Sequence, residues 1–504
     1  METLSLLGQG FSTALTPGNV FATFIGCLLG QLIGILPGIG PAAGIALLLP
    51  IIFGVKATTA LMMLTGIMYG AMYGGTLTSV LSNVPGEAAS VMTAVDGHQL
   101  AKHGRAGAAL SVAAIGSFLA GLGAVIVLAF LCPILGGFAL KFNAPEFFLL
   151  ATLGLTMTAS LGSGSALKAL LMAVLGLMVA LVGTDPMAGT MRLTFGEVEL
   201  MDGIDFIPVA VGIFGIGEVL SSLEASQAED VKPIRTKLKD LWLTAQDWAD
   251  CRMAIVRGGT IGFLVGLMPG VGPVVASMLA YAIERRASKH PERFGQGALD
   301  AVAAAESANN SAVHGAMVPM LSLGIPASPA TAVLLAALIL LGIRPGPMLM
   351  SQQPELVWGL IASMMIGNIM LIFMNLPFAP AFAAVLRVPY AYLAPGILVV
   401  SLVGSFATTL SIFNVGVTIL FGVIGYLMIK FNLPRAPIVL AIVLAPLLES
   451  ALRQSLMLSS GSPLIFVQRP IAAVLLVLVV ISLILPMLRG RKKEIKEADL
   501  EGEL

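Results

Sequence analysis

The sequence predicts an all-α polytopic membrane protein, with about 10–13 hydrophobic segments in two inverted repeats and broken or re-entrant helices. Three observations predict it. Hydrophobic residues make up 57% of the 504 positions and charged residues only 11%, with a mean hydropathy of +0.97, a balance foreign to soluble domains of this length. One stretch occurs twice, as Gly34-Ile35-Leu36-Pro37-Gly38-Ile39-Gly40-Pro41 and Gly266-Leu267-Met268-Pro269-Gly270-Val271-Gly272-Pro273, at an offset of 269 − 37 = 232. Each copy lies in an apolar run, yet proline lacks the N–H and glycine loses most entropy on ordering, so neither copy can continue a helix. Both are expected to be breaks at membrane depth.

In chain order, the first apolar run covers residues 21–36. No Lys or Arg occurs in the first 36 residues, so no cationic n-region of a signal peptide is present and the run is expected to stay as a transmembrane or re-entrant segment. An apolar stretch at 42–53 leads past Lys56 to a long helical segment at 58–82. That segment ends in a second break, Ser82-Asn83-Val84-Pro85-Gly86-Glu87, followed by the charged loop 96–105. Further apolar runs are expected at 109–131, 169–182, 357–374, 415–429 and 471–485, with Pro133, Pro145 and Pro186 punctuating the first half.

Residues 223–257 carry Lys232, Arg235, Lys237, Lys239, Arg252 and Arg257 and read as a cytoplasmic linker. Within it Thr244 and Asp247 form a capping box for a short amphipathic surface helix, with Ala245, Trp248 and Ala249 on one face. The second half repeats the plan. Gly324-Ile325-Pro326-Ala327 matches Asn83-Val84-Pro85-Gly86 at an offset of 326 − 85 = 241, and Gly74 falls on Gly315. The division is therefore a first repeat at 1–222, the linker at 223–257, a second repeat at 258–488 and a cytoplasmic tail at 489–504.

Charge sets the orientation. Arg252, Arg257, Arg285, Arg286 and Lys289 flank the second copy of the opening motif, whereas the first has only Lys56 after it. By the positive-inside rule the copies face opposite sides, so the repeat is inverted and the basic tail cytoplasmic.

Broken backbone at membrane depth is tolerated only inside protein or along a wet cavity, because each unpaired N–H or C=O costs several kcal/mol in lipid. Each break is followed by a helix start: Pro41 and Pro273 suit the first helical position, Ser328-Pro329 reads as N-cap then first residue, and Glu87 puts an acid in a first turn. Helix N-termini aimed at one place favour a carboxylate without a buried cation. The substrate-binding candidates are Pro37, Gly38, Gly40, Asn83, Pro85, Gly86, Gly270, Gly272, Asn310, Gly324, Pro326 and Ser328. The oxygen-rich set Thr76, Ser79, Ser82, Asn309, Ser311 and Ser322 suits Na⁺ at the helix ends. The competing structural reading is that small and hydroxyl residues only let helices pack closely. Glu306 and His314 are intramembrane ionisable residues, candidates for a proton relay or for structural hydrogen bonding.

Other chemistries are weakly represented. No G-x-x-x-x-G-K-[ST] phosphate loop occurs, and no soluble segment is large enough for an ATPase domain. Cys27, Cys132 and Cys251 are odd in number and far apart, which suits buried hydrophobes rather than disulfides or a metal centre. The net charge is zero, and nothing points to nucleic acid. A cofactor is not expected. A passive channel for small anions and, with less support, an intramembrane enzyme are the alternatives; a channel would conduct without accumulation, and an enzyme would lose its activity on Glu306→Gln with no gradient present.

The motifs 34–41, Tyr73-Gly74-Gly75 through Pro85-Gly86-Glu87, 266–273, and Glu306-Ser307-Ala308-Asn309-Asn310 through Gly324-Ile325-Pro326 together resemble the large membrane subunit of the tripartite tricarboxylate transporters. The resemblance runs over nearly the whole chain. It implies a cation-coupled secondary importer of di- or tricarboxylates such as citrate in the bacterial inner membrane. It also implies a small membrane subunit, a periplasmic solute-binding protein that delivers substrate, and a mobile domain that carries the substrate site past a fixed one.

Overall fold

After a first helix, α1 (Glu2–Ala14), Pro17 opens α2 (Pro17–Ile35) at the position where its missing N–H costs nothing. The helix ends at Leu36 in extended backbone, and α3 (Gly40–Leu48) and α4 (Ala57–Ser82) follow. Glycines spaced four apart bring α2 onto α4 at backbone contact: a Cβ on Gly26, Gly30 or Gly34 would lie 2.2, 2.3 or 2.1 Å from the carbonyl oxygens of Met63, Ile67 and Ala71. With no hydrophobic force between helices in lipid, such close approach is what supplies dispersion and Cα–H···O contacts.

The computed structural model describes residues 2–36, 40–52, 54–161, 165–185, 187–225, 241–385 and 390–484. Beyond α4 come α5 (Val91–Lys102), α6 (Ala106–Ala139), α7 (Ala144–Leu161) and α8 (Ala166–Ala180). A hairpin of β1 (Gly183–Thr184) and β2 (Met191–Arg192) leads to α9 (Phe206–Ala210), which runs through a π turn at Val211–Ile216 into α10 (Gly217–Ala225). The second half holds α11 (Ala245–Gly266), α12 (Gly272–Ala287), α13 (Leu299–Leu323), α14 (Pro329–Leu340), the short α15 (Leu349–Gln352), α16 (Pro354–Asn375) and α17 (Ala379–Val385). It closes with α18 (Tyr390–Thr409), α19 (Ile412–Lys430), α20 (Arg435–Leu458), α21 (Ile465–Gln468) and α22 (Pro470–Ile484). Among the described residues six helices are long and apolar enough to cross a membrane, and five shorter apolar helices accompany them. The chain is an all-helical, multi-pass membrane protein.

The glycine contact of α2 and α4 recurs in α11 and α13. Cβ atoms on Gly258, Gly262 and Gly266 would lie 2.4, 2.3 and 2.3 Å from the carbonyl oxygens of Ala304, Ala308 and Ala312. These residues stand at the sequence offsets of the two motifs: 258 − 26 = 232 for the glycines and 304 − 63 = 241 for the carbonyls. α6 and α16 then cross the two pairs, with Gly116 facing Ile255 and Gly367 facing Thr23. The core lies between them: α4 is buried without interruption from Ala60 to Leu81, and α13 from Ala301 to Ser322.

Two sequence expectations change. The capping box of Thr244 and Asp247 is present, but it opens no short surface helix. Nothing between Thr244 and Gly266 breaks the chain, so α11 runs its full length into the second Pro/Gly motif, with Cys251, Ala254, Ile255 and Gly258 buried. Pro133 lies inside α6 rather than ending it. Pro145 stands in the first turn of α7 as expected, whereas Pro186, most of residues 223–240 and the tail 489–504 lie outside the described residues.

Candidate transport site

Both second breaks end their helix the same way. Asn83 closes α4 at φ 57°, and Gly324 closes α13 at φ 72°, the left-handed conformation that glycine and asparagine take most readily. Both chains then restart on a capped turn. The Glu87 carboxylate accepts from the Ala89 N–H at 2.8 Å, while Ser328 and Thr331 form a reciprocal capping box ahead of α14. Glu87 and Ser328 are the same position in the repeat, since 328 − 87 = 241.

Within each half the two breaks touch. Gly86 lies so close to Gly34 that a Cβ would sit 2.1 Å from its carbonyl oxygen; Gly270 N–H donates to the Ala327 carbonyl at 3.1 Å. Gly270 needs to be glycine twice over, because its φ is +79° and a Cβ would lie 2.4 Å from the backbone nitrogen of Thr158 on α7. Between the halves, α3 packs on α14 and the turn Ala88–Ser90 packs on α12.

Beside the breaks lies a buried polar interior. Thr93 donates to Glu306 Oε1 at 2.5 Å, and Thr76 lies beside this carboxyl. Asn309 donates to Glu87 Oε1 at 3.0 Å. Asn310 donates to Ser117 at 2.7 Å, and the His314 ring, stacked on Tyr69 at 4.7 Å, reaches the Asn310 carbonyl at 2.7 Å through Nδ1. Tyr73 donates to Asn368 at 2.8 Å, and Gln31 and Asn375 pair through their amides at 3.1 and 3.2 Å. A cavity of about 10 Å³ beside Tyr73, Thr76, Ser117 and Asn375 is the size of one water. Five buried polar atoms in this region have no partner: Glu306 Oε2, Ser307 Oγ, Asn309 Oδ1, His314 Nε2 and Tyr69 Oη. Native interiors leave few such atoms, so a cluster of them calls for a water, an ion or a ligand to complete it.

The sequence candidates are distributed unevenly around this interior. Pro37 and Gly38 lie outside the described residues. Gly40 opens α3 with φ +61° and Gly272 opens α12 with φ +69°. Gly86, Gly324, Pro326 and Ser328 are buried, while Pro85 is partly and Asn83 largely exposed; Asn83 acts through its backbone. Asn310 turns to α6 rather than to a break. Of the Na⁺ candidates, Thr76 and Asn309 face the carboxyls. Ser79 is bonded to the Gly75 carbonyl and Ser90, Ser322 is bonded back to the Val318 carbonyl, and Ser82 sits partly buried at the end of α4. Ser311 points the other way, donating to the Gly259 carbonyl of α11 at 2.7 Å and lining an outer groove between α6 and α11, because one residue step turns a helix by about 100°. Thr93, Ser117, Asn368 and Thr158 are not legible in the sequence, and Tyr73 is legible only as part of a motif. Lone hydroxyls and amides among Ala, Gly and Leu carry no spacing signal that separates a site from helix packing.

Capped breaks between apolar helices, touching within each half beside unsatisfied buried polar atoms, are the architecture of membrane transporters, in which discontinuous helices hold the cargo. The model of the Tripartite tricarboxylate transporter TctA family matches residues 20–440. The chain belongs to that family and is the large membrane subunit of a tripartite tricarboxylate transporter. It is 46% identical over 499 residues, 98% of this chain and 99% of the other, to an uncharacterised 52.8 kDa protein of the TAR-I ttuC′ 3′ region of Agrobacterium vitis. A second uncharacterised protein, of the TAR-II ttuC′ 3′ region of the same organism, is 42% identical over 237 residues, 46% of this chain and 98% of the other. No solved structure matches the chain.

Proposed function

We propose that this subunit is a Na⁺-coupled secondary importer of di- and tricarboxylates such as citrate. It works in the bacterial inner membrane with its C-terminus cytoplasmic, takes substrate from a periplasmic solute-binding protein and is accompanied by a small membrane subunit. The two repeats have inverted topology. The observation that carries this reading is the packing of the restarted segments across the two halves: α3 lies on α14, which the Ser328 cap opens, and the turn Ala88–Ser90, which Glu87 caps, lies on α12. The N–H groups that a helix start leaves uncapped favour a carboxylate without a buried cation. On this reading the substrate-binding residues are Pro37, Gly38, Gly40, Asn83, Pro85, Gly86, Gly270, Gly272, Asn310, Gly324, Pro326 and Ser328, and the cation binds among the neighbouring oxygens.

The test is reconstitution of the chain with its two partner subunits in liposomes, with uptake of labelled citrate and other di- and tricarboxylates measured under an inward Na⁺ gradient, a proton gradient or none. Accumulation that needs both the Na⁺ gradient and the binding protein is the expected result. Equilibration without a gradient would make the protein a channel, and absence of flux for every carboxylate would remove the substrate class.

A further inference from the structure

Glu306 is a fully buried carboxyl with no countercharge. It sits in the middle of α13, 0% exposed, with Oε1 on Thr93 and Oε2 without a partner. One turn further along α13, Asn309 spends its amide N–H on Glu87 and keeps a buried, unpartnered Oδ1. Glu87, also buried, places its other oxygen on the Ala89 N–H. Around this pair α4 contributes Thr76 and Tyr73, α5 contributes Thr93, α6 contributes Ser117, and His314 lies further along α13 against Tyr69. No Lys or Arg among the described residues pairs with either carboxyl.

A buried carboxylate without a countercharge is strongly disfavoured, and removing a charge's partner is the costly way to leave one. Intramembrane carboxyls mark ion pathways, and an all-oxygen ligand set selects hard cations over transition metals. We propose that the Glu306 carboxylate, with Asn309 beside it and Glu87 behind, is the binding site of the coupling cation, a Na⁺ ion. Glu306 Oε2 and Asn309 Oδ1 are its first ligands. This rests on the importer reading but moves the cation from the serine and threonine hydroxyls to the Glu306 carboxylate, keeping only Asn309 of the oxygen set named from the sequence. It also supplies a connection. Glu87 caps the chain's restart after the first second-type break, whereas Glu306 and Asn309 belong to α13 of the other half, so an ion held here ties a substrate-binding break to the opposite half.

The experiment measures ²²Na⁺ binding to the purified full-length chain in lipid nanodiscs, with wild type, Glu306→Gln and Glu306→Asp compared. Wild type binds Na⁺ saturably, and Glu306→Gln weakens binding by about tenfold or more. Should Glu306→Gln fail to fold, Glu306→Asp retains the charge, withdraws the oxygen and also weakens binding. In liposomes Glu306→Gln, a neutral mimic of the occupied carboxylate, still exchanges carboxylate across the membrane but no longer accumulates it. Equal Na⁺ binding in wild type and Glu306→Gln, or none in wild type, overturns the site. Glu306-dependent Na⁺ binding with no carboxylate flux in any liposome would overturn the importer reading and leave the cation site standing.

Discussion

Gly262 lies against Ala308 so closely that a Cβ on the glycine would sit 2.3 Å from the alanine's carbonyl oxygen, and Gly30 stands in the same relation to Ile67. Neither contact can yield by moving a side chain, because the obstructing atoms are helix backbone. Gly262→Ala and Gly30→Ala should each push their helix pair apart, at a cost of about 1–3 kcal/mol or more. Thermal unfolding in detergent should show both variants less stable than wild type, whereas Gly416→Ala, which meets nothing within 4 Å, should not differ. Equal transitions in all three would refute the backbone contact as a source of stability.

Asp96 of α5 holds the N-terminus of α13. Its Oδ1 accepts from the backbone N–H groups of Gly295, Gly297 and Ala298 at 2.9, 2.9 and 2.8 Å, and Oδ2 accepts from the Tyr281 hydroxyl at 2.8 Å. Asp96→Ala leaves these buried donors unpaired, at about 1–3 kcal/mol for each that finds no water. Asp96→Asn keeps one acceptor and should lose less. The order wild type, Asn, Ala in unfolding temperature checks this; an Ala variant as stable as wild type would contradict it.

In the loop between α8 and α9, the Arg453 guanidinium grips Asp185 with two bonds of 2.8 Å. With help from the Ala188 and Met187 N–H groups, Arg453 holds the Asp185 carboxyl well below the usual carboxylate range. A depressed native pKa means stability that is present above the unfolded carboxylate's pKa and is lost as pH falls through the native one. Asp185→Asn should therefore unfold at a lower temperature than wild type at neutral pH, and the difference should shrink only in strongly acidic solution. A difference that stays constant down to acid pH would show that the charge is not the cause.

Much of the fold was legible. The doubled Pro/Gly motif and the Asn83 and Gly324 clusters stand out because prolines and glycines packed within a few residues of one another are together too costly for a helix to continue, and helices end at both kinds of place. Thr244 and Asp247 announce a helix start through an equally local capping signal, but the helix's length is not legible there, since a run of charges near its start looks the same whether the helix lies on a surface or enters the core. Asn309 and Ser311, two residues apart in one polar run, look alike in the sequence. Rotation about α13 sends one to α11 and the other to Glu87.

The sequence by itself determined the membrane class, the broken helices, their duplication and the exclusion of an ATP-binding loop. All of these follow from composition or from short-range backbone chemistry written within a few residues. Only the tertiary structure decided which polar groups share the interior. Glu87 and Asn309 are 222 positions apart and Thr93 and Glu306 213 apart, and no local rule pairs residues so distant. They meet because two glycine-lined helix pairs close to backbone contact and leave α4 and α13 buried side by side with α5 and α6, so that the few carboxyls and amides they carry have only one another to turn to.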